Sequence, residues 1–211
     1  MKLQKLGGYF CIALVFVYLI IFMVSPILGF KHISVIPDPV EAMNTFENYS
    51  IFFRIFMLAV NIFIAIFYVV FAMTLRERMK SKAPNIMNFA VIAASITAVA
   101  PFLGSMINDS LMEAIVKSKD VSSFAIVRGI ESGVSSASTH GWGWVFLLTG
   151  IAAIKAQMLP KILRYLIIIY GIGNVLVFAI KSLGIFNAFL TIIVFIWLGI
   201  YLIRNPEPSL E

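Results

Sequence analysis

Six apolar, nearly uncharged runs fix the solvent in which this chain must fold: Gly7–Phe30, Ile51–Leu75, Ile86–Asn108, His140–Ile154, Leu163–Ile180 and Ser182–Ile203. An α-helix rises ~1.5 Å per residue, so about 20 apolar residues cross a ~30 Å hydrocarbon core. No water is available there to satisfy the backbone, and a run of this length satisfies its own N–H and C=O groups only as a helix. The expected fold is all-α: a polytopic membrane protein with six transmembrane helices in one domain. The spans are expected near residues 7–30, 51–75, 86–108, 139–157, 161–181 and 183–203. Hydrophobic residues make up 61% and charged residues 12% of the 211, against roughly 45–50% and 25% in soluble domains. A soluble fold has no interior large enough for that much apolar surface.

The charges between the runs set the orientation. The net charge of +6 is not gathered on one face of a soluble module, which argues against nucleic acid as a partner. With a cytoplasmic N-terminus, ten basic residues and three acids face inward, among them Lys2, Lys5, Arg76, Arg78, Lys80, Lys82, Lys155 and Lys161. Six basic residues and seven acids then face outward, giving +7 inside against −1 outside. The positive-inside rule predicts that both termini are cytoplasmic. The apolar run behind Lys2 and Lys5 exceeds the 7–15 residues of a signal-peptide core and lacks a small-x-small cleavage site, so a retained first helix is expected. Cys11 is the one cysteine, which excludes an intramolecular disulfide and a CxxC site.

Two outer segments are expected to carry short amphipathic helices. Asp38-Pro39-Val40-Glu41 supplies a cap, a proline at the first helical position and an early acid, predicting a helix from Pro39 to about Asn48. Ser110-Leu111-Met112-Glu113 has the form of a capping box, either continuing the third span outward or starting a new helix. Beyond it, Ile126, Val127, Ile130 and Val134 recur at helical spacing, as in a helix lying in the interface.

Polar residues inside lipid are costly and carry the functional argument. Arg54 and Asn61 lie seven apart, as do Asn174 and Lys181, and seven residues at ~100° each return to one helix face. Ser105, Asn108 and Asp109 share a face of the third span, His140 and Trp144 one of the fourth, and Asn187 and Thr191 one of the sixth. Turned toward one another, these stripes would line a polar chamber in the outer half of the membrane. The expected ligand-binding set is Arg54, Asn61, Asn108, Asp109, His140, Trp144, Tyr170, Asn174 and Lys181. In that reading Arg54, His140 and Lys181 face an anionic or amphipathic ligand, with Trp142, Trp144 and Tyr170 as flat walls. In the competing reading Arg54 pairs with Asp109 or Glu113, the amides tie helices together, and Trp142 and Trp144 are interfacial belt residues. Pro101 is expected to free a backbone carbonyl near Thr97. Only His32 and His140 could ligate a metal or haem, so no cofactor and no metal site are expected. Ser105, Asp109 and His140 hold the residue types of a hydrolytic triad, without a GxSxG elbow.

Gly7-Gly8-Tyr9, Ile51-Phe52-Phe53-Arg54, Thr139-His140-Gly141-Trp142-Gly143, Met158-Leu159-Pro160-Lys161 and Trp197-Leu198-Gly199-Ile200 occur in order along nearly the whole chain. In that arrangement it resembles the bacterial membrane family of unknown function 4386. The resemblance implies six helices and the bacterial inner membrane, and carries no activity. The expected function is therefore binding of an anionic or amphipathic small molecule, or of membrane lipid, in an outward-facing chamber. A structural or stress-related membrane protein is the first alternative, and an intramembrane hydrolase the second. Oligomeric state is left open.

Overall fold

The computed structural model describes residues 3–27, 36–49, 51–177, 179–180 and 182–205, with backbone only for 24–27, 108 and 109. All regular structure among the described residues is helical. The elements are α1 (Leu3–Ile27), α2 (Pro39–Glu47), α3 (Ile51–Met79), α4 (Pro84–Met106), a π-helical turn (Ile107–Leu111), α5 (Met112–Ser118), α6 (Val121–Ala156), α7 (Lys161–Leu176) and α8 (Leu183–Arg204).

Helix starts follow local chemistry. Asp38 accepts the Val40 N–H at 2.9 Å and Pro39 opens α2. Pro84 opens α4 and Pro160 immediately precedes α7, positions where the missing N–H costs nothing. Asp120 accepts from the backbone N–H of Ser123 at 3.1 Å and from its hydroxyl at 2.6 Å, starting α6.

Ser110–Glu113 follows the first of its two expected courses, continuing the third span outward: Leu111 keeps helical dihedrals without a side-chain cap bond, and the chain runs from α4 through the π turn into α5. One expectation is corrected here. The segment from Val121 is not a separate interfacial helix ahead of a span at 139. It belongs to one 36-residue α6, because nothing between Asp120 and Gln157 stops a helix, and an exposed glycine such as Gly129 or Gly133 costs only ~1 kcal/mol against alanine. α7 ends at Leu176, short of the expected 181, and Lys181 lies outside the described residues.

Four helical stretches are long and apolar enough to cross a membrane: Leu3–Met23, Ile51–Met79, Pro84–Ser118 and Leu183–Arg204. α7 has 16 residues, and the apolar half of α6 is diluted by Ser138, Thr139, His140 and two glycines. Phe22, Phe52, Ile96 and Ile185 are each at least 70% exposed, a surface that calls for an apolar solvent.

α1, α3, α4, α6, α7 and α8 pack each on the next, and α8 returns to α1, closing a ring. Glycines permit the closest crossings. A Cβ on Gly143 would lie 2.9 Å from the Gly171 carbonyl oxygen, and one on Gly171 would lie 3.0 Å from that of Gly143, between α6 and α7. Gly8 and Gly199 meet in the same reciprocal way between α1 and α8. A second, smaller core of Ile36, Met43, Phe46, Met112, Val116 and Phe124 joins α2, α5 and the start of α6 into a cap.

Candidate functional site

Aromatic side chains fill the middle of the ring. Tyr68 stacks on Trp142 at 4.2 Å between centroids, and Phe67, Phe71, Phe146 and Phe195 surround that pair at 4.6–6.4 Å. At one end of the ring Arg78 is buried and ties four segments together. It donates to the carbonyls of Asn205 at 2.7 Å and Met158 at 3.3 Å, to the Tyr201 hydroxyl at 3.2 Å and to the Gln4 amide oxygen at 3.4 Å.

Beside the aromatic cluster, between α1, α3, α4 and α6, lies a cavity of about 180 Å³. α3 contributes Asn61, Ile64 and Tyr68, at i, i+3 and i+7. α6 contributes Glu131, Ser135, Ser138 and Thr139, at i, i+4, i+7 and i+8, so each helix presents one face. Tyr18 closes the α1 side, with Pro101 and Gly104 on α4. The Tyr68 and Ser138 hydroxyls stand 3.5 Å apart on its wall. Gly104 is buried, yet a Cβ there would meet nothing within 4 Å. The polar side chains of the wall carry oxygen, and the one charged residue among them is Glu131.

Among the described members of the predicted set, Asn61 alone lines this cavity. Arg54 turns to the cap, 3.3 Å from the Glu113 carboxylate, 3.4 Å from the Phe46 carbonyl and 4.8 Å over the Phe46 ring. His140, Trp144, Tyr170 and Asn174 gather on the seam of α6, α7 and α8. The His140 ring faces the Val175 carbonyl at 3.3 Å and accepts from the Trp144 indole N–H at 3.1 Å. Asn174 donates to the Tyr170 carbonyl at 2.8 Å, and the Tyr170 hydroxyl accepts from Thr191 at 3.1 Å. Asn187 lies beside them, both of its amide atoms buried without a hydrogen-bond partner among the described residues. The side chains of Asn108 and Asp109, and the whole of Lys181, lie outside the described residues. Ser105 donates to the Pro101 carbonyl at 3.0 Å, so its hydroxyl is not on His140. Trp142 is a 5% exposed member of the core and not a belt residue, whereas Trp144 is half exposed.

Tyr18, Tyr68, Glu131, Ser135, Ser138 and Thr139 are the wall residues that sequence reasoning missed. For Glu131, Ser135, Ser138 and Thr139 the signal was the i, i+4, i+7, i+8 recurrence on α6, readable only once residues 121–156 are taken as one helix; Tyr18 and Tyr68 carry no such signal. No protein-family model matches this sequence, and no curated protein or solved structure compared with it matches either.

Proposed function

We propose that this chain crosses the bacterial inner membrane six times, both termini cytoplasmic, and binds a small organic ammonium cation, primary or quaternary. The +7 against −1 charge asymmetry supports the topology, and the order of motifs supports a place in the family of unknown function 4386. In that topology the cavity between α1, α3, α4 and α6 lies in the outer half of the bilayer, with Glu131 toward its mouth.

The wall chemistry carries the reading. An acid, an amide and several hydroxyls converge on one space in otherwise apolar helices, where uncompensated polar groups are costly. An oxygen-lined wall that includes a carboxylate, itself already engaged within the protein as Arg54 and His140 are, favours a cation over the anion expected from Arg54 and His140. About 180 Å³ lies below the ~300–1,000 Å³ of drug-sized sites, which selects a ligand of a few heavy atoms.

Gly104→Leu tests the proposal by extending a side chain into the cavity from a position where a Cβ meets nothing within 4 Å. Thermal unfolding in neutral detergent with added ethanolammonium or tetramethylammonium should show stabilisation of the parent, up to ~2.7 kcal/mol at a hundredfold excess over Kd. Gly104→Leu should fold at least as stably and lose that response. Equal responses in the two proteins, or none in the parent, would defeat the proposal.

The alternative of a structural membrane protein draws support from the seam, where His140, Tyr170 and Asn174 all bond within the bundle.

A further inference from the structure

α6 is longer than a hydrocarbon core requires. The step from Arg128 to Lys155 spans roughly 40 Å at ~1.5 Å per residue, the depth of a bilayer with its headgroups, ~40–45 Å. On the six-span topology proposed above, on which this inference rests, Lys155 at one interface puts Arg128 at the phosphate level of the opposite leaflet.

At that level Ala125, Arg128, Gly129 and Ser132, at i, i+3, i+4 and i+7, join Pro39 at the start of α2 around an open groove of about 240 Å³. Its lining on α6 adjoins that of the cavity described above, sharing none of its residues. Among the described residues Arg128 makes no hydrogen bond or ion pair, although its Nη1 is sealed from solvent. A guanidinium nitrogen stripped of water and given no acceptor is an unstable arrangement, and buried donors in folded proteins nearly always have partners. Among the described residues no acid lines the groove to supply one. The Ser132 hydroxyl offers a second donor, and a Cβ on Gly129 would meet nothing within 4 Å, leaving room for a bulky acceptor. Ile126 and Ile130, on the adjoining face, are 66% and 53% exposed.

We propose that this groove holds the phosphodiester of a membrane phospholipid. Arg128 supplies the planar donor pair that matches phosphate oxygens, Ser132 adds a hydroxyl, and the acyl chains lie over Ile126 and Ile130. Free phosphate shares the headgroup chemistry, but the headgroup depth and the apolar flank select the lipid.

The test is native mass spectrometry of the full chain released from dodecyl maltoside after incubation with phosphatidylglycerol or with diacylglycerol. The parent should retain one phosphatidylglycerol and no diacylglycerol. Arg128→Gln should bind the phospholipid about 10–100-fold more weakly, the worth of a charge-assisted hydrogen bond. Gly129→Leu keeps the charge and fills the groove, so it should lose retention too, independently of how Arg128→Gln folds. Undiminished retention in either variant overturns the proposal. Displacement of the lipid by millimolar inorganic phosphate identifies a free-anion site and also overturns it.

Discussion

Arg78 shows how far one residue's role can differ from its place in a charge count. In the sequence it is one of a cluster of basic residues read only for the side of the membrane they mark. In the fold it is 5% exposed and holds the ends of α1 and α8, the α6–α7 turn and the Tyr201 hydroxyl together. Hydrogen bonds to a charged donor are worth ~1.5–3 kcal/mol each, and their loss strands buried acceptors. Arg78→Ala should therefore destabilise the bundle by ~3 kcal/mol or more, measured by denaturant unfolding in detergent micelles. Arg78→Lys, with one compact ammonium, should recover only part of that. A change below ~1 kcal/mol for Arg78→Ala would show that the cluster is incidental. Positive-inside reasoning sorts an arginine by side and cannot tell a solvated one from a buried one. Asn61 was found because an amide amid apolar residues stands out. The hydroxyls of Tyr68 and Ser138 were not, since tyrosine and serine are unremarkable in any membrane helix.

Element boundaries were legible wherever a proline or an aspartate marks them, as at Asp38, Pro84 and Pro160. They were not legible along α6, where serines and glycines dilute the hydrophobic signal and only the absence of a stop shows the continuity. The start of α6 gives a pH dependence. The Ser123 hydroxyl, then its N–H, holds the Asp120 carboxyl below its ordinary value. The cap's contribution is therefore complete above the unfolded-chain pKa of ~3.9 and is lost as pH falls through the lower folded value. Amide exchange at residues 121–124, corrected for its intrinsic pH dependence, should quicken below about pH 4. Asp120→Asn caps without titrating and should abolish the step; a step that persists assigns it to another group. The α6–α7 crossing gives a packing prediction. Gly171→Val drives a side chain into the Gly143 carbonyl and the Leu147 backbone, and overpacking costs ~1–3 kcal/mol where neighbours can shift. Backbone cannot easily shift, so the upper end is expected. Gly133→Ala enters open space and should stabilise by ~0.5–1 kcal/mol. Thermal unfolding of the two variants should move them in opposite directions, and a neutral Gly171→Val would mean that the helices do not meet there.

At the scale of the whole molecule the proposed topology makes a direct prediction. Single cysteines at Lys80, between α3 and α4, and at Lys119, between α5 and α6, should react with membrane-impermeant maleimide from opposite sides of sealed vesicles in a Cys11→Ser background. Both are well exposed. Labelling of both from one side would contradict an odd number of crossings between them.

The ring closes through its first and last members, and that order has a consequence for synthesis. Among the described helices α1 leaves the ribosome first, yet a principal neighbour, α8, leaves last, and the Gly8–Gly199 approach joins residues far apart in sequence. Until α8 is inserted, the α1 face destined for it can be covered only by lipid or by another protein. Such long-range closure is slow because loop entropy opposes it until the final contacts form. A nascent chain halted before Leu183 would therefore expose on α1 a flat, small-residue strip suited to close helix contact, the kind of surface by which an unfinished product would be held by an insertion chaperone or marked for proteolysis.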